Sequence, residues 1–433
     1  MNNTVKLLSL LLCIVLVFSF AACNSAEEDK KGNDSVSSAV SEEASEDAKD
    51  EGTDEPSTPS FGFDKPVASG TDLSAKEYTA VSALPETSIG APGDAMEGYT
   101  YIDMKSGTLE MTGIIPPSEN MDTFGRLYFE KMGEYSAENS KLGQCLAGGR
   151  IRFVTDAETM VLYAQMGVVY KLNHFSAKGA YGFDVYVGTG TDRTYIGEPG
   201  NHLTDPTLVH SVVQLGKGYK EVTVVLPLYG GVNTMYIGLP DDASVAAPDA
   251  YSIEKPICFY GSSITQGGCV TRPGLAYANI LCFAMDAPCY NLGFSGSAKG
   301  EQAIAQHIAS LDISAFVMDY DYNAPDAAHL KATHYDFYKT VREAHPDIPI
   351  IFMAHPCYTL PTANDDTRTA IVKATYDKAV SEGDGNVYYV DNATFFPEDY
   401  RDLVTVDNSH PNDIGHLLMA EAVYPTLKEA LGK

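Results

Sequence analysis

Pro256-Ile257-Cys258-Phe259-Tyr260-Gly261-Ser262-Ser263-Ile264-Thr265-Gln266-Gly267-Gly268 decides how the rest of the chain is read. Residues 257–260 are an apolar run of the length that suits a strand buried in a sheet. The run stops at Gly261, and two serines and a Gly-rich loop lead to a helical stretch over about 275–285. A strand that ends on small residues and turns into a helix presents that turn at the carboxyl edge of an α/β sheet, where ligands gather. A serine there lies beside backbone N–H groups and a helix start. Those are the surroundings a nucleophilic hydroxyl and its oxyanion require.

Downstream of the turn, strands are expected over 288–292, 315–320, 348–354 and 386–390. Helices are expected between and after them, over 301–311, 327–343, 367–382 and 412–431. Strands separated by helix-length segments make βαβ units, hence a parallel sheet covered by helices on both faces. Upstream the grammar differs. Short β-rich runs at 150–155, 159–163, 182–187 and 222–227 follow one another with little helical periodicity, the pattern of a β-sandwich.

At the far end, Asp407-Asn408-Ser409-His410-Pro411 sets a carboxylate three residues before a histidine, in a polar loop entering the last helix. A serine with a histidine and a nearby acid is what acyl transfer uses: the histidine takes the hydroxyl proton and the acid orients the imidazole. Sequence physics alone leaves either Ser262 or Ser263 as the nucleophile. The same loop also reads as a helix start, with Asn412 or Asp413 as cap.

Four blocks now stand in order: Gly261-Ser262-Ser263-Ile264, Asn291-Leu292-Gly293-Phe294-Ser295-Gly296, Asp319-Tyr320-Asp321-Tyr322-Asn323-Ala324-Pro325, and Asp407 to Pro411. Together, over roughly 256–433, they resemble the SGNH (GDSL-type) hydrolases. Two positions depart from that family's pattern: Ser262 replaces its usual Asp, and Asp321-Tyr322-Asn323-Ala324 replaces Gly-x-Asn-Asp. Gly182-Phe183-Asp184-Val185-Tyr186 resembles the Gly-x-Asp-Leu-Tyr signature of a sandwich that precedes some of these enzymes. The resemblance implies an α/β fold class, a flavodoxin-like three-layer α/β/α hydrolase domain preceded by an all-β, jelly-roll-like sandwich. It implies Ser263 as nucleophile with His410 and Asp407, and no metal or cofactor. The oxyanion would be held by the Ser263 N–H, the Gly293 N–H and the Asn323 side chain.

The start of the chain belongs to export. Lys6 precedes an apolar stretch that closes on Phe20-Ala21-Ala22-Cys23, similar to a bacterial lipobox. The expected divisions are a lipoprotein signal peptide over 1–22, an acidic disordered linker over 23–62, the sandwich over 63–248 and the hydrolase over 249–433. Lipid on Cys23 would be the contact with the membrane, placing the protein at the bacterial cell surface. A net charge of −29 excludes nucleic acid as a partner. The cysteines show no zinc spacing; Cys258 and Cys282 lie in apolar runs as buried thiols, and a disulfide through Cys269 or Cys289 is compatible with export. Asp319-x-Asp321-x-Asn323 opens like a calcium loop but lacks its Gly and Glu. His329 and His334 read as solvated or packed, and Arg272 either holds substrate or braces the nucleophile loop. The expected substrate, by analogy with sandwich-bearing carbohydrate esterases, is an acetylated oligo- or polysaccharide. A broader acyl esterase or lipase, or a glycan-binding protein with no chemistry, are the other classes the sequence allows.

Overall fold

The computed structural model describes residues 73–84, 91–200, 205–357 and 363–433. The signal peptide, Cys23 and the acidic linker lie outside the described residues. No helix among the described residues is long and apolar enough to cross a membrane.

Eleven strands come first: β1 (Thr79–Ala80), β2 (Tyr99–Asp103), β3 (Glu110–Thr112), β4 (Arg150–Thr155), β5 (Thr159–Val169), β6 (Asp184–Thr189), β7 (Asp192–Gly197), β8 (Leu208–Gln214), β9 (Lys220–Val225), β10 (Gly230–Pro240) and β11 (Ser244–Ala246). One sheet runs β1-β11-β4-β9-β6-β7, with β3 also on β4; the other runs β2-β10-β5-β8. The ladders are antiparallel. Ile151 and Phe153 of β4, with Val222 and Val224 of β9, meet Leu162 and Ala164 of β5 and Met235 and Ile237 of β10 in one core. Apolar side chains at every second position, most of them β-branched or aromatic, suit a pleated surface with one face turned to a core. Two short helices, α1 (Ala137–Leu142) and α2 (Ala177–Tyr181), sit in its connections.

The second half alternates: β12 (Ile257–Gly261), α3 (Ser263–Gln266), α4 (Tyr277–Ala284), β13 (Cys289–Gly293), α5 (Gln302–Ala309), β14 (Ala315–Asp319), α6 (Ala327–Ala344), β15 (Ile350–Met353), α7 (Ala363–Ser381), β16 (Val387–Val390) and α8 (Asp413–Ala430). The strands are parallel, in the order β13-β12-β14-β15-β16. This is the flavodoxin order, whose crevice opens at the carboxyl ends of β12 and β14. Both faces of the sheet are buried. Cys258 and Tyr260 of β12 point into the core under α5, α6 and α7, while Ile257 and Phe259 point into the core under α4 and α8. The expected elements stand within a few residues of where the sequence put them.

The two halves share side chains and hydrogen bonds within one compact unit, Pro59–Lys433. Strand β13 is an edge, and an edge leaves a row of carbonyls unpaired. Arg126, wholly buried, supplies the missing donors: its Nη1 reaches Asn291 O at 2.6 Å and Gly293 O at 2.8 Å. Its Nε and Nη2 take Cys145 O and Leu142 O on the sandwich side. Burial pulls this guanidinium's pKa down, and the four carbonyls and the Phe294 ring hold the charge. Arg150 makes the same kind of bridge to Ala287 O and Asn279 O. Val270 and Ala276, from the loop after α3, are members of the sandwich core.

Candidate active site

The apolar β12 ends at Gly261, and Ser262 caps α3. The Ser262 Oγ accepts the Ile264 N–H at 3.1 Å and is buried. Asp and Ser are interchangeable in that capacity, because each offers a short-chain oxygen to the first free N–H groups of a helix. Ser263, the first residue of α3, points the other way, and its Oγ lies 2.9 Å from His410 Nε2. The geometry therefore separates the two serines that the sequence left open. Below them, Asp319 at the end of β14 accepts Thr265 Oγ1 and Tyr277 OH, each at 2.8 Å. Burial, with the neighbouring charge of Asp321, pushes the Asp319 carboxyl up to about 7.

His410 sits in a tight loop. Asp407 Oδ1 accepts the N–H groups of Ser409 and His410, and its Oδ2 lies 2.9 Å from His410 Nδ1. Asn408 takes the left-handed conformation that closes the turn, φ 61°. Partial burial works against the Asp407 charge, but the hydrogen bonds from His410 and Ser409 hold its carboxyl below the usual range. Asn412, rather than Asp413, caps α8 through the Ile414 and Gly415 N–H groups. Asp413 instead accepts from the N–H and hydroxyl of Thr271, tying α8 to the nucleophile loop. Hydroxyl, imidazole and carboxylate thus form one hydrogen-bonded line, able to move a proton off Ser263 and stabilise the resulting imidazolium.

The expected oxyanion donors are not all available. Gly293 N–H already donates to Asn291 Oδ1 at 2.8 Å, and that amide's Nδ2 is held by Thr265 O. Gly293 is glycine for a packing reason: a Cβ there would stand 2.2 Å from Gln266 N. The expectation for Gly293 is therefore corrected. Three residues on, Gly296 takes the left-handed φ of 68°, in the same turn as Ser295, whose N–H donates to Gln266 Oε1. Asn323 follows β14 directly, in a one-turn helix, and its Oδ1 is buried without a partner. Rotating that carboxamide by 180° turns the unpaired end into a donor.

The sandwich reaches this site directly. Tyr229, wholly buried at the start of β10's approach, donates its hydroxyl to Ser263 O at 3.0 Å. Leu228 O accepts Gln266 Nε2, and Gln266 Oε1 accepts Ser295 N–H, so one side chain links the sandwich, α3 and the Gly296 turn. Arg272 braces the loop and does not face it: its Nη1 lies 2.8 Å from Asp184 Oδ2 and 2.5 Å from Tyr186 OH. Asp184 also accepts Gly274 N–H. The Asp and Tyr of the Gly-Phe-Asp-Val-Tyr run thus grip the arginine that follows the nucleophile turn. Phe175 and His174, after β5, bring their rings to 6.3 and 5.1 Å from that of His410.

Other polar residues find structural partners. His334 is buried against Thr375 Oγ1 and burial pushes its pKa down to about 4, while His329 bonds Lys299 O. The six described cysteines are free thiols, so neither Cys269 nor Cys289 forms a disulfide. His355, after β15, was not singled out by sequence. It lies between Asp321 and Asp365 at 2.6 and 3.2 Å, and Tyr322 stacks on it while its hydroxyl meets Ser409. Tyr229, Arg126 and Gln266 were also missed. No local motif marks them, because their meaning lies in contacts as much as 167 residues away along the chain.

Residues 254–428 match the GDSL-like lipase/acylhydrolase family model, and residues 99–245 match the N-terminus of SGNH-hydrolase-type esterases. A GDSL-like lipase structure from Bacteroides ovatus is 26% identical, covers 77% of this chain and 98% of its own, and superposes with a TM-score of 0.69. A salicylyl-acyltransferase from a tetracycline biosynthetic pathway is 19% identical, with coverages of 78% and 99% and a TM-score of 0.64. A family two carbohydrate esterase from Cellvibrio japonicus is 14% identical, with coverages of 77% and 98% and a TM-score of 0.50. The last two speak for the fold alone. No curated protein matches the sequence. The matched family models make this a carboxylic ester hydrolase, on the sheet order described above. Within that class, residues 254–428 carry the GDSL-like lipase/acylhydrolase domain, and residues 99–245 ahead of them carry the N-terminal domain of SGNH-hydrolase-type esterases.

Proposed function

We propose that the enzyme removes short acyl groups, acetyl foremost, from the hydroxyls of a carbohydrate through a seryl-acyl intermediate. The observation that carries the reading is the line from Ser263 Oγ to His410 Nε2 and from His410 Nδ1 to Asp407. His410 takes the Ser263 proton as Oγ attacks the ester carbonyl. The tetrahedral oxyanion is held by the N–H groups of Ser263 and Gly296 and by the Asn323 amide. The carbon–oxygen bond to the sugar then breaks, and the leaving alkoxide takes the proton from His410. Water repeats the sequence on the acyl-serine and returns the carboxylic acid.

Substrate size follows from what lines the oxyanion turn. Gly293 to Ser297 and Asn323 to Pro325 are small or polar, apart from Phe294, which is wholly buried. An apolar tunnel that would reward each added methylene has no residues to build it there. The fold shared with a carbohydrate esterase supports a sugar on the alcohol side by analogy. The test is kcat/KM for acetyl, butyryl and octanoyl nitrophenyl esters against acetylated xylo- or manno-oligosaccharides. Acetyl should lead the simple esters and the acetylated sugars should exceed it. A rate that climbs with acyl length, or indifference to the sugar, would leave a general esterase. The same reading places the enzyme at the cell surface on a lipid at Cys23, supported by the Ala21-Ala22-Cys23 motif and acidic linker. Cys23→Ser should release active protein from membranes, and a variant that still sediments with them would refute the anchor.

A further inference from the structure

We propose that His174, Cys269 and His410 form a binding site for a divalent transition metal of the Zn²⁺ class, and that its occupation switches the esterase off. One atom from each, a ring nitrogen from each histidine and the Cys269 sulfur, lie within 4.8 Å of one another. The three come from separate parts of the chain: the loop after β5, the nucleophile loop and the loop before α8. The histidine rings approach to 5.1 Å at an angle of 37°.

Both imidazoles are oriented for it. His174 Nδ1 lies 3.0 Å from Asn173 Oδ1, and His410 Nδ1 lies 2.9 Å from Asp407 Oδ2. The tautomer in which each Nδ1 donates to that oxygen leaves the lone pair on Nε2. A histidine whose other nitrogen donates to an amide or carboxylate oxygen has the second-shell arrangement of a metal ligand. Two imidazoles and a thiolate suit Zn²⁺, with water in the fourth position. Tetrahedral bonds of about 2.0 Å to nitrogen and 2.3 Å to sulfur set ligand atoms roughly 3.5 Å apart, so the cluster must close by about 1 Å. His174 is half-buried on a loop and can supply that movement.

The thiol sets the cost. Burial, with the Asp407 charge second, pushes Cys269 up to about 12, so its proton leaves only as the metal takes the sulfur: RSH + M²⁺ gives RS–M⁺ + H⁺. The same Asp407 charge favours a cation once it is bound. Occupation uses the Nε2 lone pair that otherwise faces Ser263 Oγ at 2.9 Å. The metal is thus an inhibitor that competes with proton transfer, which rests on the proposed role of His410.

Zinc chloride is titrated into the esterase acting on nitrophenyl acetate, and separately into the Ser263→Ala protein in a calorimeter. Reversible inhibition is expected, relieved by EDTA, with one equivalent bound to Ser263→Ala. His174→Ala and Cys269→Ser, each measured against its own metal-free rate, should need on the order of tenfold more Zn²⁺, or greater, for half inhibition. Ser263→Ala combined with His174→Ala should lose the calorimetric binding. Equal inhibition of parent and His174→Ala, or no binding to Ser263→Ala, would overturn the site. Stoichiometric binding without inhibition would keep the metal site and fault the role given to His410.

Discussion

The hydroxyl of Ser262 caps α3 while that of its neighbour Ser263 meets His410, and only three-dimensional contacts separate them. The sequence made the four site blocks legible because each is a short run of turn residues. It could not show that the Gly293 N–H is taken, because that depends on the Asn291 side chain turning back onto it. Two predictions belong at this scale. His410→Ala should cost more activity than Asp407→Ala, on the order of 10⁴-fold or more against a loss roughly 10 to 100 times smaller. The imidazole moves the proton in both half-reactions, whereas Asp407, 36% exposed at its side chain, is partly replaceable by water. Equal losses in kcat, with both variants folded by circular dichroism, would contradict that ordering. The second concerns Asp319, whose pKa of about 7 stands above the roughly 4 of an unfolded chain. Folding takes up a proton between those values, so this stabilising contribution is full below about pH 4 and lost as pH rises through about 7. Asp319→Asn carries no such proton. Its stability relative to the parent, from urea unfolding, should therefore rise between pH 5 and pH 7 by roughly 2 to 3 kcal/mol. A difference that does not change with pH would sink the assignment.

At the scale of elements, the strand-to-helix turn is held from the sandwich side. Tyr229 reaches the Ser263 carbonyl, Gln266 is anchored on Leu228, and Arg272 is pinned by Asp184 and Tyr186. Tyr229→Phe removes one of three donors to that carbonyl, since the Gly267 N–H and, at 2.7 Å, the Gly268 N–H remain. It should cost about 1 kcal/mol of stability. It should also lower kcat about tenfold with KM nearly unchanged, because a small displacement of the nucleophile is felt mainly in the chemical step. Steady-state kinetics with nitrophenyl acetate reads this, and an unaltered kcat would show that the hydroxyl only packs. The short, continuous apolar run of β12 and the helix-length segments after it made the parallel sheet legible. The grip of Asp184 and Tyr186 on Arg272 was not legible, although the motif itself was seen. A motif gives residue types, and its partner lay 88 positions downstream.

For the whole molecule, the two halves read in sequence as separate domains behave in structure as one catalytic unit. The edge carbonyls of β13 are satisfied by Arg126, and the sandwich core includes Val270 and Ala276. Residues 249–433 expressed alone would leave those carbonyls without their donor and that loop without its core. The fragment should be poorly folded by circular dichroism and inactive, and a folded fragment with the full chain's kcat would refute the coupling.

The proposed chemistry depends on Ser263 being the residue that is acylated. The direct measurement is peptide mass spectrometry after treatment with an organophosphonate, on the parent protein and on Ser262→Ala and Ser263→Ala. The adduct should sit on Ser263, persist in Ser262→Ala alongside measurable esterase activity, and vanish with activity in Ser263→Ala. An adduct on Ser262, or hydrolysis surviving in a folded Ser263→Ala, would contradict the account.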